Sequence, residues 1–257
     1  MVSSCTVVTS AHTFVTFNKN KVVKFEPFEF CLDLHGDIRE AKVIKVVDYR
    51  FPKEYEEICR KIEQSNSRDE KYRLFMESVK YDFALLKLEK NVQLSSFPTL
   101  CPDSEDANVT VCGFPSDVEG GLKQYSHSGR VKVDPKSGKG VYDDIDTRKG
   151  VSGSPVYYTA DGECFVVGLH KGHDPRERQN VCTLLTTEAV LTLQKWMGEM
   201  SLTIKTRRDS PIVPVPSDRP ASRPASSRIV SYSHRPASSS SKPVPPPLKE
   251  SPPQLKV

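Results

Sequence analysis

A serine hydroxyl acts as a nucleophile only where a base can take its proton and where the surrounding chain leaves it open to attack. The run Gly150-Val151-Ser152-Gly153-Ser154-Pro155 suits the second condition. Glycines at 150 and 153 allow backbone conformations that a β-carbon would disfavour, so Ser152 can stand on a tight turn. The same turn can aim the amide N–H groups of Gly150 and Ser152 at one point, where the oxyanion of an acyl-transfer intermediate would sit. For the first condition the chain offers His12, in VVTSAHTF, and Asp82, in YDFALLKL. Each stands beside an apolar run, and they precede Ser152 in the order His, Asp, Ser. Alone, His12 reads as a turn histidine and Asp82 as a strand-start cap. Together the three residue types are those of base, orienting carboxylate and nucleophile.

The elements that must hold them are mostly strands. Short runs rich in Val, Ile, Phe and Tyr, broken by Gly, Asp, Asn and Pro, recur from residue 7 to about 181. Strands are expected at 13–17, 21–25, 28–34, 41–47, 83–88, 108–112, 129–133, 154–158, 165–170 and 181–185. So many short strands with polar turns point to a sandwich or barrel. Residues 52–80 break the pattern: highly charged, with Tyr55, Ile58 and Ile62 at helical spacing, they read as a partly helical surface insertion. A helix is expected at 187–199, capped by Thr186 or Thr187, with Ala189, Val190, Leu193, Trp196 and Met197 as its apolar stripe.

The 257 residues carry a net charge of +4, but the charge is unevenly placed. The last 57 hold ten Lys/Arg against three Asp/Glu, or +7, which leaves −3 for the first 200. They also hold twelve of the twenty prolines. From about residue 207 the chain is Pro/Ser/Arg-rich and has too few apolar side chains to offset the entropy of ordering, so a disordered tail at 207–257 is expected. No apolar run approaches the roughly 20 residues of a membrane span. The opening residues lack the pattern of a secretory signal. The seven cysteines are scattered and odd in number, without metal-ligand spacing. They read as buried free thiols in a reducing, cytoplasmic compartment, with no metal and no cofactor implied.

The segments TSAH, DFALLKL and GVSGSPV resemble the three catalytic segments of the trypsin-like (chymotrypsin-fold) serine proteases. Within that group the likeness is nearest to glutamyl endopeptidases. Cys112-Gly113-Phe114-Pro115 followed by SHSGRV, the Thr-x-x-Gly-x-Ser-Gly spelling from Thr147 to Gly153, and VVGLHKG are similar to their motifs. The resemblance covers roughly residues 5–200. It implies an all-β protein of two antiparallel barrels, the first at about 1–95, the second at about 105–185, with a C-terminal helix and the site in the cleft between the barrels. It implies a triad of Ser152, His12 and Asp82, an oxyanion hole at the Gly150 and Ser152 amides, and Thr147 and His170 in the primary specificity pocket. A hydroxyl and an imidazole can serve a substrate carboxylate as donors without burying a full opposing charge. The implied function is a serine endopeptidase cutting peptides after Glu or Asp.

Four departures shape the expectation. Met1 stands eleven residues before His12, so the first barrel is expected to lack its opening strands. Thr13 follows the histidine where many animal relatives place a cysteine, so the flanking disulfide is absent. Asp146 stands six residues before Ser152, where an acid would select Lys or Arg. Strand alternation would put Asp146 and Thr147 on opposite faces, and Thr147 is taken as the inward one because His170 agrees with it. His173 occupies a position at the pocket rim that is usually glycine, where it could narrow the pocket or add a donor.

In the tail, Arg-Pro-Ala-Ser occurs at 219–222, 223–226 and 235–238, a spacing that suits basophilic kinases. The run PVPPPLK at 243–249 suits a polyproline-binding groove. Nucleic-acid binding is not expected, because Tyr232 is the tail's sole stacking ring. A second reading keeps the barrels without the hydrolysis: an interaction module whose basic tail recruits partners.

Overall fold

A computed structural model describes residues 1–18, 21–24, 29–34, 36–142 and 144–208, with backbone alone at 16–18, 21–24 and 202–208. The Pro/Ser-rich tail beyond 208, with its repeats, lies outside the described residues, as do the ends expected at 25 and 28 for two early strands.

The strands run β1 (Thr6–Thr9), β2 (Val15–Asn18), β3 (Lys21–Lys24), β4 (Glu29–Leu32), β5 (Lys42–Arg50), β6 (Ala84–Leu88), β7 (Thr99–Leu100), β8 (Ala107–Gly113), β9 (Tyr125–Asp134), β10 (Lys139–Tyr142), β11 (Pro155–Ala160), β12 (Glu163–Asp174) and β13 (Gln179–Leu184). Three helices accompany them: α1 (Lys53–Gln64), α2 (Arg68–Ser78) and α3 (Thr187–Arg208).

The N-terminal half is a curled, open half-barrel in the order β1-β6-β5-β4, with β2 and β3 as a separate hairpin. Its central strand β6 is buried along its whole length. Side chains alternate across a strand. Ala84, Leu86 and Leu88 therefore face the core with Val7, Phe14, Ile44 and Tyr55, while Leu85 joins Phe83 in a second core against Leu169, Leu185 and Leu193. The C-terminal half is a closed six-stranded barrel, β8-β9-β10-β13-β12-β11, sealed by the β11–β8 pairing. Val111, Val131, Ile145, Val156 and Val167 fill it. α3 is capped by Thr186, whose hydroxyl accepts from the Ala189 amide at 3.2 Å. It lies across both halves, with Trp196 against Phe83 at 5.9 Å.

The all-β expectation of two barrels with a C-terminal helix holds, with three differences. α3 continues to Arg208, past the expected end at 199. The insertion at 52–80 is almost wholly helical: α1 buries Tyr55, in the core of the open half-barrel, and Ile58, and α2 buries Leu74. β1, β7 and β10 are not among the expected strands: each has four residues or fewer, and β10 includes a glycine. The seven thiols are free, but only Cys182 is buried and the other six are half-buried. Among the described residues no helix is long and apolar enough to cross a membrane.

Candidate active site

Antiparallel pairing brings the histidine to the carboxylate. β1 runs against β6 with Thr9 opposite Ala84, so the chain leaving β1 and the chain entering β6 share one end of the sheet. One 3-10 turn after β1 presents His12, held by Thr13 Oγ1 donating to the Ser10 carbonyl at 2.7 Å. Another 3-10 turn before β6 presents Asp82, anchored by Thr183 Oγ1 donating to the Val79 carbonyl at 2.7 Å. His12 Nδ1 lies 2.6 Å from Asp82 Oδ2, and the His12 amide donates to Oδ1 at 3.0 Å. Two contacts from one residue fix the ring's orientation as well as its distance. Asp82 is fully buried, whereas the His12 side chain is 28% exposed.

A third partner joins them. Lys171 Nζ donates to the same Asp82 Oδ2 at 2.7 Å and is itself buried. Burial alone would push the Asp82 carboxyl up, but the opposing charges and hydrogen bonds of Lys171 and His12 outweigh it and hold the carboxyl well below the usual range.

The Ser152 turn comes from the closed barrel. Gly150 and Gly153 have φ of 93° and 78°, the left-handed region that glycine enters without a β-carbon clash. At Gly150 a β-carbon would come within 2.6 Å of the Ser116 nitrogen, and at Gly153 it would overlap Thr9 Oγ1. Neither close approach tolerates a side chain, and at Gly153 the turn seats directly against the end of β1 and the loop that carries His12. Thr9 Oγ1 donates to the Gly153 carbonyl at 3.4 Å, and Gly153 N–H donates to the His170 carbonyl at 2.8 Å. Ser152 Oγ donates to the Lys171 carbonyl at 3.3 Å, so in the resting site the hydroxyl is bonded to β12 and not to the His12 ring.

Beside Ser152 lies a cavity of about 480 Å³ lined by Asp146, Thr147, Arg148, Lys149, His170, His173, Arg178 and Asn180, among others. His170 is 2% exposed. Its Nδ1 is hydrogen-bonded to the Tyr142 hydroxyl. Burial, with a smaller contribution from the charge of His12, pushes the His170 imidazole down to about 4, so the ring is neutral near pH 7. Thr147 is half-buried, while Asp146 and His173 are exposed. The alternation used to separate Asp146 from Thr147 does not apply, because residues 144–148 are not in a strand, and both residues line the cavity. The Asp146 amide donates to His127 Nδ1 at 2.8 Å.

Lys171, Tyr142 and His127 were not singled out from sequence. For Lys171 a signal existed: a lysine directly after the apolar run FVVGLH. Tyr142 carried none, because it meets His170 only through the β10–β13–β12 pairing.

No protein-family model and no curated protein sequence matches the chain. Solved structures do. A Glu endopeptidase, solved in complex with MPD, is 16% identical, with a TM-score of 0.55 over 76% of this chain and 82% of that one. At that identity the likeness is one of fold. The fold is that of the trypsin-like serine proteases. The thermostable serine protease AL20 from an extremophilic microorganism shares the trypsin-like fold at a TM-score of 0.53 and 16% identity, over 74% of this chain and 82% of that one. Protease Anisep from Arthrobacter nicotinovorans does so at 0.50 and 13%, over 74% and 82%.

Proposed function

We propose that the chain is a serine endopeptidase that cleaves after Glu or Asp, with residues 1–200 as its catalytic domain. The observation that carries the reading is His12 Nδ1 at 2.6 Å from the buried Asp82 carboxylate, beside a left-handed glycine turn bearing Ser152.

In this scheme a bound peptide displaces the Ser152 hydroxyl from the Lys171 carbonyl toward the His12 ring, a rotation about one side-chain bond. Catalytic hydrogen bonds of this kind often form only in the substrate complex. As Ser152 Oγ bonds to the substrate carbonyl carbon, its proton passes to His12 Nε2. The C=O electron pair moves onto oxygen, which the Gly150 and Ser152 N–H groups receive. Collapse of the intermediate breaks the C–N bond, and the amine leaves with the proton from His12. Water then repeats the sequence on the acyl-enzyme, transferring its proton to His12 and releasing Ser152. Throughout, Asp82 holds Nδ1–H and stabilises the imidazolium.

The charge around the cavity supports an acidic side chain next to the cut bond. Arg148, Lys149 and Arg178 line it against the single carboxylate of Asp146. Neutral His170 and the Thr147 hydroxyl are positioned as donors, with His173 and Asp146 at the exposed side. A peptide-library profile tests the reading: cleavage after Glu or Asp is expected to exceed cleavage after Lys or Arg by about 100-fold. Preference for Lys or Arg would make Asp146 the selecting group, and a background equal to that of Ser152→Ala would end the hydrolase reading.

A further inference from the structure

Lys171 sits where the register between β12 and β13 shifts. His170 is opposite Cys182 and Gly172 is opposite Val181, which leaves Lys171 as the extra residue of a bulge. Bulges re-aim side chains, and here the result is specific. The Lys171 carbonyl accepts from Ser152 Oγ at 3.3 Å, while its ammonium donates to Asp82 Oδ2 at 2.7 Å. One residue thus touches both the hydroxyl and the carboxylate of the proposed triad.

The ammonium is covered by the insertion. Its Nζ lies 5.6 Å from the Tyr55 ring centroid, on α1, and 5.0 Å from that of Phe75, on α2. Aromatic faces attract a cation while excluding water from it. α2 is in turn tied to the end of β12: Tyr72 donates to the buried Asp174 at 2.9 Å, and Arg176 stacks on the Tyr72 ring at 3.9 Å. The two inserted helices therefore close the back of the site.

We propose that Lys171 is a positioning residue that shares the Asp82 carboxylate with His12 and tempers the carboxylate's hold on a charged His12 ring, its own charge sheltered by the two inserted helices. The proposal rests on the hydrolase reading for its consequence in turnover, but not for its electrostatics. Two cations on one carboxylate oxygen compete for its charge. While Lys171 holds Oδ2, a charge on the His12 ring is stabilised less than Asp82 alone would stabilise it, so removing Lys171 strengthens the carboxylate's hold on a protonated ring. The titratable groups facing the ammonium are Asp82, His12 across the shared oxygen, and Tyr55 and Cys59 of α1, with Glu63 beyond Cys59. His170 stands next to it in sequence and feels the charge of His12. Tyr55 is pushed far up and Cys59 up to about 11, each chiefly by burial, so neither carries charge near neutral pH.

The test compares full-length wild type with Lys171→Met and Lys171→Gln. Glutamine retains a donor for Asp82 without the charge, and serves if the methionine variant does not fold. In both variants the acid limb of kcat/KM is expected to move to higher pH by about 1–2 units, with KM unchanged on the plateau, because Lys171 is outside the substrate cavity. The NMR titration of the His12 ring, assigned with His12→Gln, reads the same shift without any turnover. A shift seen by NMR in a protein with no turnover would sustain the shared-carboxylate pair and sink the hydrolase reading instead. A folded variant whose His12 titration superimposes on wild type would overturn the proposal and leave Lys171 a packing residue.

Discussion

Ser152→Ala is expected to lower kcat/KM on an acidic peptide substrate by roughly 10⁵–10⁶-fold, since nucleophile and base act as one unit. The same change should leave the fold nearly as stable as before. Ser152 is only half-buried, and its hydroxyl makes one long bond, 3.3 Å to the Lys171 carbonyl. Losing a bond of that kind costs about 1 kcal/mol or less. Steady-state kinetics paired with a thermal melt therefore separate chemistry from stability at this position. A variant retaining a tenth of wild-type activity, with a matching melt, would show that the hydrolysis occurs elsewhere.

Asp82→Asn should damage both. The carboxylate accepts the His12 amide, His12 Nδ1 and Lys171 Nζ. An amide has one oxygen for these three donors and turns a competing N–H₂ toward one of them. If that N–H₂ faces His12, the ring is held in the tautomer that cannot accept the serine proton, which costs roughly 10⁴-fold in kcat. The second effect is on folding. Lys171 stays buried without its counter-charge, and breaking a buried pair by removing one partner costs about 3–5 kcal/mol. For a domain of this size that lowers the melting temperature by roughly 10 °C. Adding Lys171→Met to Asp82→Asn removes the stranded charge and should recover most of the stability with none of the activity. A double variant as unstable as the single one would show that Lys171 is not the source of the loss.

How much could be read in advance depended on whether the information was local. Ser152 and its glycines occupy consecutive positions, so the turn was legible as a turn. His12 and Asp82 were legible as candidates because each interrupts an apolar run, and the β1–β6 pairing then supplies their meeting. The bulge that aims Lys171 was not legible, because it arises from the register between β12 and β13 and not from either strand alone. The insertion divides the same way. α1 advertises its buried face through Tyr55 and Ile58. α2 buries only Leu74 and Ser78, too little to leave a clear stripe, and read as charged surface. The reasoning that separated Asp146 from Thr147 borrowed strand alternation for a stretch with no strand.

The measurement that tests the account most directly is mass-spectrometric mapping of a fluorophosphonate on the full-length protein. A phosphonyl adduct confined to Ser152, and lost in folded His12→Ala, is the result expected of a hydroxyl activated by that ring. No adduct on folded wild-type protein, or an adduct on Ser152 that persists undiminished without His12, would contradict it.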